Sequence, residues 1–78
     1  MNKGDATRAY AKRRNDIARL IDVLQMELDS HNTQFANDPN RWGAAGDLGC
    51  VRDRLIDLVA FISQMEREDV ERFLAEAE

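Results

Sequence analysis

Apolar residues recur along the first half of the sequence at alternating spacings of three and four, which places them on one face of a helix. Two polar residues, Arg14 and His31, fill the gaps in the series. The series, here called the first apolar stripe, is Tyr10, Arg14, Ile17, Ile21, Leu24, Leu28, His31 and Phe35. This pattern is typical of a coiled-coil seam and predicts a helix over about residues 5 to 36.

A second series follows the same spacing in the other half of the chain. This second apolar stripe is Leu48, Val51, Leu55, Leu58, Ile62 and Met65, with Ile56, Val59 and Phe61 beside it. Strict heptads would continue at Asp69 and Arg72, but the apolar residues there are instead Val70, Phe73, Leu74 and Ala77. Such a shift locally unwinds a supercoil. We expect a second helix over about residues 42 to 77, with its end splayed or straightened.

Between the two series, Asp38-Pro39 predicts a turn over about residues 37 to 41. Proline lacks an N–H and its ring clashes with the preceding helical turn, so the first helix must end before it. The second helix begins either at Arg41 or Trp42, capped by Asn40, or at Asp47 after a longer loop.

Three glycines, Gly43, Gly46 and Gly49, recur at the start of this second half. Each costs about 1 kcal/mol inside a helix relative to alanine. If the glycines form a strip without side chains on helix 2, the end of helix 1 can pack closely against it, and this packing would offset the cost. Trp42 would then close the hairpin end of the core against Phe35.

These elements predict an all-α fold, in which residues 1–78 form a single domain built as an antiparallel helical hairpin. Both stripes are too broad to be covered by one partner helix, so we expect a homodimer that forms a four-helix bundle. Its predicted core is Ile17, Ile21, Leu24, Leu28, Phe35, Leu48, Val51, Leu55, Leu58, Ile62 and Met65.

The charge distribution favours the antiparallel arrangement. Residues 1–20 contain six basic and two acidic side chains, whereas residues 66–78 contain six acidic and two basic ones. A chain that folds back near residue 40 would bring Lys12 towards Glu68, and Arg14 towards Glu66. Each exposed pair contributes only about 0 to 1 kcal/mol.

The run from Asp38 to Gly49 contains Trp42-Gly43-Ala44-Ala45-Gly46-Asp47-Leu48. With Val51, Leu55 and Ala60-Phe61, it resembles the Trp-Gly-x-x-Gly-x-Leu turn of a group of short uncharacterised bacterial helical-hairpin proteins. The resemblance covers about a third of the chain, implies the hairpin and carries no function. In architecture alone the chain is also similar to the ROP-type plasmid RNA-binding hairpin dimer.

His31 and Cys50 are the residues nearest to catalytic chemistry. A Cys–His pair is the minimum for an activated thiolate, but no orienting third group is identifiable. We therefore interpret His31 as a polar seam residue that either fixes helix register or is simply partly exposed, and predict that the chain is not an enzyme.

No metal or cofactor is expected either. One histidine and one cysteine cannot supply four zinc ligands, and no Glu-x-x-His or phosphate-loop motif occurs. The lone Cys50 excludes an internal disulfide framework and favours a reducing compartment. No apolar run approaches the roughly 20 residues that span a bilayer, and the charged residues 1–5 lack the apolar core of a signal peptide. We expect a cytoplasmic protein without membrane contact.

Two functions fit these features. The first is a non-enzymatic interaction or scaffold module that binds a protein partner of unknown identity. The alternative is a ROP-like nucleic-acid binder that uses a basic stripe on helix 1 formed by Arg8, Lys12, Arg13 and Arg19. The net charge of −4 and the acidic end of the chain oppose the alternative.

Overall fold

The computed structural model describes residues 3–40 and 42–77, and within these ranges the chain is helical with no strands. The helices are α1 (Lys3–Asn37), α2 (Trp42–Ser63) and α3 (Arg67–Ala77). The all-α class predicted from the sequence is confirmed. The chain divides into two units, Met1–Pro39 and Asn40–Glu78. The pairing of these units into an antiparallel hairpin, the single domain and the four-helix bundle stay predictions.

α1 ends where the proline requires it to end. The Asp38 N–H donates a hydrogen bond to the Phe35 carbonyl at 3.0 Å, and a turn at Pro39 and Asn40 follows. α2 starts at Trp42 rather than at Asp47. The alternative first residue, Arg41, lies outside the described residues. The glycines therefore lie within the first turns of a helix.

The second half of the chain differs from its prediction, because two helices replace the single helix expected over residues 42–77. α2 stops at Ser63 and α3 begins at Arg67. Gln64 has a φ of 63°, in the left-handed region that a residue with a Cβ rarely adopts. Residues 64–66, called the joint from here on, contain no glycine or proline.

Local hydrogen bonds close both helix ends at the joint. Gln64 Nε2 donates to the Phe61 carbonyl at 2.9 Å, and the Met65 N–H donates to Ser63 Oγ at 3.3 Å. The Glu66 carbonyl accepts the first bonds of α3, from the N–H groups of residues 69 and 70. These contacts satisfy backbone groups that helix ends otherwise leave unpaired.

The glycines and the tryptophan at the start of α2 have open surroundings within their own unit. A Cβ added to Gly43, Gly46 or Gly49 would meet no heavy atom within 4 Å outside the neighbouring helix backbone. Trp42 exposes 86% of its surface. The predicted approach of helix 1 to the glycines and the contact of Trp42 with Phe35 would join the two units, and both stay predictions.

Candidate interaction surface

α3 lies beside α2 and is fixed there by Arg67. Arg67 Nη2 donates to Asp53 Oδ1 at 3.0 Å, Nη1 donates to the Asp53 carbonyl at 3.4 Å and to Asp57 Oδ1, and Nε donates to Glu71 Oε1 at 3.0 Å. One guanidinium thus joins two carboxylates of α2 to one of α3. We call this group the Arg67 clamp.

The main effect of the Arg67 clamp is to position α3, and its contribution to the stability of the fold is small. Its four side chains are all partly exposed, and ion pairs in contact with water contribute little. The hydrogen bond to Asp57 raises the pKa of the Arg67 guanidinium above its ordinary value. Arginine is charged near neutral pH with or without this shift, and any stability from the raised pKa is fully present below its ordinary value.

The apolar contact beneath the Arg67 clamp involves residues outside both stripes. Ile56 of α2 is 2% exposed and Val70 of α3 is 6% exposed; with Ala44 they are the buried apolar residues of the described chain. The sequence pattern places Ile56 beside the second apolar stripe and Val70 beyond the heptad shift. α3 therefore covers a flank of α2 and not the stripe itself.

The second apolar stripe remains open. At about 100° per residue, its α2 members are centred roughly a third of a turn away from Ile56. Leu58 is 60% exposed and Ile62 is 79% exposed, while Val51 is half-buried. This stripe forms a continuous apolar face on α2 that α3 does not cover.

The first apolar stripe on α1 is similarly accessible. Ile17 and Ile21 are each 56% exposed, and Leu24, Leu28 and His31 are half-buried. None of the eleven predicted core residues is fully buried in the single chain. The homodimer that would cover them stays a prediction.

The predicted basic stripe lies on α1, largely opposite the apolar one. Arg8, Lys12 and Arg19 share one exposed face, whereas Arg13 lies next to the first apolar stripe. Lys12 forms an ion pair with Asp16 at 3.0 Å. The predicted pairing of the basic start with the acidic end would join the two units, and it stays a prediction.

The two residues considered for catalysis lie in different units of the chain. His31 lies half-buried in α1, and Cys50 is an exposed free thiol in α2. Over residues 3–40 and 42–77, no three His, Cys, Asp or Glu side chains come together as metal ligands. None of the helices in these ranges has the length and hydrophobicity needed to cross a membrane.

Comparisons with known proteins find no matching protein family, no similar curated protein and no similar solved structure. The resemblance to bacterial hairpin proteins therefore stays an expectation from the sequence. The surface of the molecule itself indicates what the chain can bind. Its main feature is the exposed second apolar stripe.

Proposed function

We propose that the chain is a non-enzymatic interaction or scaffold module built on a homodimeric helical bundle. The observation that carries the proposal is the second apolar stripe, which lies on a face of α2 away from α3 and stays exposed. Single exposed leucines are ordinary on protein surfaces, but a continuous apolar face usually marks an interaction site. The proposal includes the cytoplasmic location expected from the sequence.

A second copy of the chain is the occupant that the pattern favours. Heptad spacing lets one apolar stripe pack its side chains between those of another. Burial of apolar surface stabilises such a contact by about 25 cal/mol per Å². The half-buried His31 would then fix the register of the bundle, while the outer faces remain available to another protein.

Two adjacent residues of α2 provide a matched test. Ile62 belongs to the second apolar stripe and is 79% exposed, whereas Phe61 lies about 100° around the helix and is 74% exposed. We expect Ile62→Asp to convert a dimer at micromolar concentration into a monomer, and Phe61→Asp to leave the dimer intact. Sedimentation velocity and light scattering measure the mass. A monomeric wild-type chain at these concentrations would contradict the proposal, as would equal effects of the two substitutions.

The second candidate function is nucleic-acid binding by α1. It is supported by the exposed face that Arg8, Lys12 and Arg19 share. Contacts of basic side chains with phosphates weaken steeply as salt rises. A gel shift titrated with salt separates the two candidates, with Arg8→Glu/Arg19→Glu as the variant and Arg52→Glu/Arg54→Glu as its charge-matched control. The absence of wild-type binding at low salt would exclude this function.

A further inference from the structure

A second heptad series runs through α2, the joint and α3. Its spacing alternates between three and four residues without interruption. This series, called the exchange face, is Asp53, Ile56, Ala60, Ser63, Arg67, Val70, Leu74 and Ala77. Its α2 and α3 members include Ile56 and Val70, the buried pair, and Arg67 of the clamp. A continuous helix over residues 42–77 would therefore carry both halves of the α2–α3 contact on one face.

The exchange face is self-complementary when two such helices pair in opposite directions. Positions whose numbers sum to about 126 then lie opposite one another, which aligns Ile56 with Val70 and Ala60 with Arg67. Ser63 lies next to the twofold axis, opposite its own equivalent. A second copy of the chain could supply the contacts that α3 makes with α2 inside one copy.

The joint is built so that it can straighten. Gln64, Met65 and Glu66 are all good helix formers, and no residue type at the joint requires a break. The left-handed φ of Gln64 is strained for a residue with a Cβ. Straightening removes that strain and restores helical hydrogen bonds across the joint. The bent form persists in a single chain because it covers Ile56 and Val70.

We propose that α3 exchanges between two copies of the chain: the joint straightens, and each α3 occupies the exchange face of its partner's α2. The apolar contact and the Arg67 clamp then form between chains instead of within one. In the register described above Arg67 lies nearer to Asp57 than to Asp53, so the exchanged form keeps the Arg67–Asp57 pair. The strain at the joint and the protein concentration then decide the balance between the two forms. The exchange face differs from the second apolar stripe, so this inference does not depend on the proposed function.

Distance measurements between spin labels distinguish the two forms in the full chain. Cys50 is the only natural cysteine and is exposed in α2, and Glu76→Cys adds a second label in α3. A straight helix separates the two positions by about 39 Å, at 1.5 Å per residue over 26 residues, whereas the folded-back α3 brings them much closer. Dilution of the labelled chain with a tenfold excess of unlabelled chain separates distances within a chain from those between chains.

We expect a long distance of about 39 Å to appear as protein concentration rises. The share of the short distance that arises between chains should grow with it and should be lost on dilution with unlabelled chain. A short distance that survives this dilution undiminished at every concentration would overturn the proposal. So would a long distance without an accompanying short distance between chains, since it would mean that the joint straightens without exchange.

Two substitutions of Gln64 should shift the balance in opposite directions. Gln64→Gly accepts a left-handed φ without strain and weakens a continuous helix, so we expect it to lower the exchanged fraction by about tenfold or more. Gln64→Ala removes the hydrogen bond to the Phe61 carbonyl and should raise that fraction. Equal exchanged fractions in the two variants would contradict the role assigned to the joint.

The same spin labels distinguish the exchange of α3 from the homodimeric bundle proposed above. Ile62→Asp lies outside the exchange face, so it should remove the bundle dimer and leave the long distance unchanged. Gln64→Gly should suppress the long distance and leave the bundle dimer intact. Loss of the long distance in Ile62→Asp would show that exchange depends on the bundle contact and would overturn an independent exchange face.

Discussion

Side-chain hydrogen bonds in α1 and in the α2–α3 unit span different distances along the sequence. In α1, Lys12 bonds to Asp16 and Thr33 bonds to the carbonyl of Asp29, each four residues away. In the other unit, Arg67 reaches Asp57 and Asp53, which are 10 and 14 residues away. The first type of contact supports a helix, whereas the second fixes one helix against another.

Burial differs in the same way. No described residue of α1 is fully buried, although its stripe contains six large apolar side chains. In the α2–α3 unit, a short α3 of 11 residues is enough to bury Ile56 and Val70. A helix with a broad stripe thus needs a partner along its length, while a short helix can complete a small core when an arginine positions it.

The largest predicted effect breaks the core of the α2–α3 unit. Ile56→Ala should destabilise this unit by about 2 to 5 kcal/mol, because it removes a buried side chain and leaves a cavity. Urea denaturation followed by circular dichroism measures the loss. Phe61→Ala is the control, since its side chain is 74% exposed on the same helix, and it should change stability by less than about 0.5 kcal/mol. Similar losses in both variants would remove Ile56 from the core.

The next largest effect is the loss of stability when a leucine of the first or second apolar stripe is replaced by alanine. Leu24→Ala and Leu58→Ala should each cost about 2 to 5 kcal/mol where a dimer buries these leucines. Because Leu24 is half-buried and Leu58 is 60% exposed in the single chain, most of that loss should depend on protein concentration. Thermal melts across a hundredfold concentration range provide the measurement. An unchanged melting temperature at all concentrations would exclude both residues from an interface.

The apolar spacing predicts the helices well because it is a local property of the chain. The first stripe gives α1 to within two residues at each end, and Pro39 accounts for its stop. The same region predicts that α2 begins at Trp42, because Asp38-Pro39 forces a turn and the residues after it can form a helix. Each of these features depends on a residue type and its immediate neighbours.

The break at the joint could not be predicted in this way. Gln64, Met65 and Glu66 favour helix, so their sequence gives no stop signal. The break accompanies contacts between residues far apart in sequence, namely the burial of Ile56 and Val70 and the bonds from Arg67 to α2. The heptad shift after Met65 was the available signal, but by itself it is equally consistent with a locally unwound helix. For the same reason, Ile56 was assigned to a flank rather than to a core.

A smaller effect tests whether the Arg67 clamp positions α3. Arg67→Gln should lower the melting temperature and accelerate amide hydrogen exchange in α3, because it removes the bonds to α2. Arg72→Gln is the matched control, since Arg72 bonds at 3.3 Å to Asp69 within α3. High salt should narrow the difference between wild type and Arg67→Gln by screening exposed charges. Equal exchange rates in the two variants would contradict a positioning role.

The smallest predicted effect lies in α1, where contacts are local. Lys12→Ala removes the ion pair with Asp16, and exposed helix pairs of this spacing contribute about 0.3 to 0.5 kcal/mol. The loss of helix stability should lie at the lower end of this range for two reasons. The basic residue precedes the acidic one, which is the less favourable order, and alanine is itself a strong helix former. Circular dichroism at low and high salt measures the change in helicity. A loss above about 1 kcal/mol would mean that Lys12 has a partner beyond its own helix, and α1 would then resemble the α2–α3 unit in depending on contacts distant in sequence.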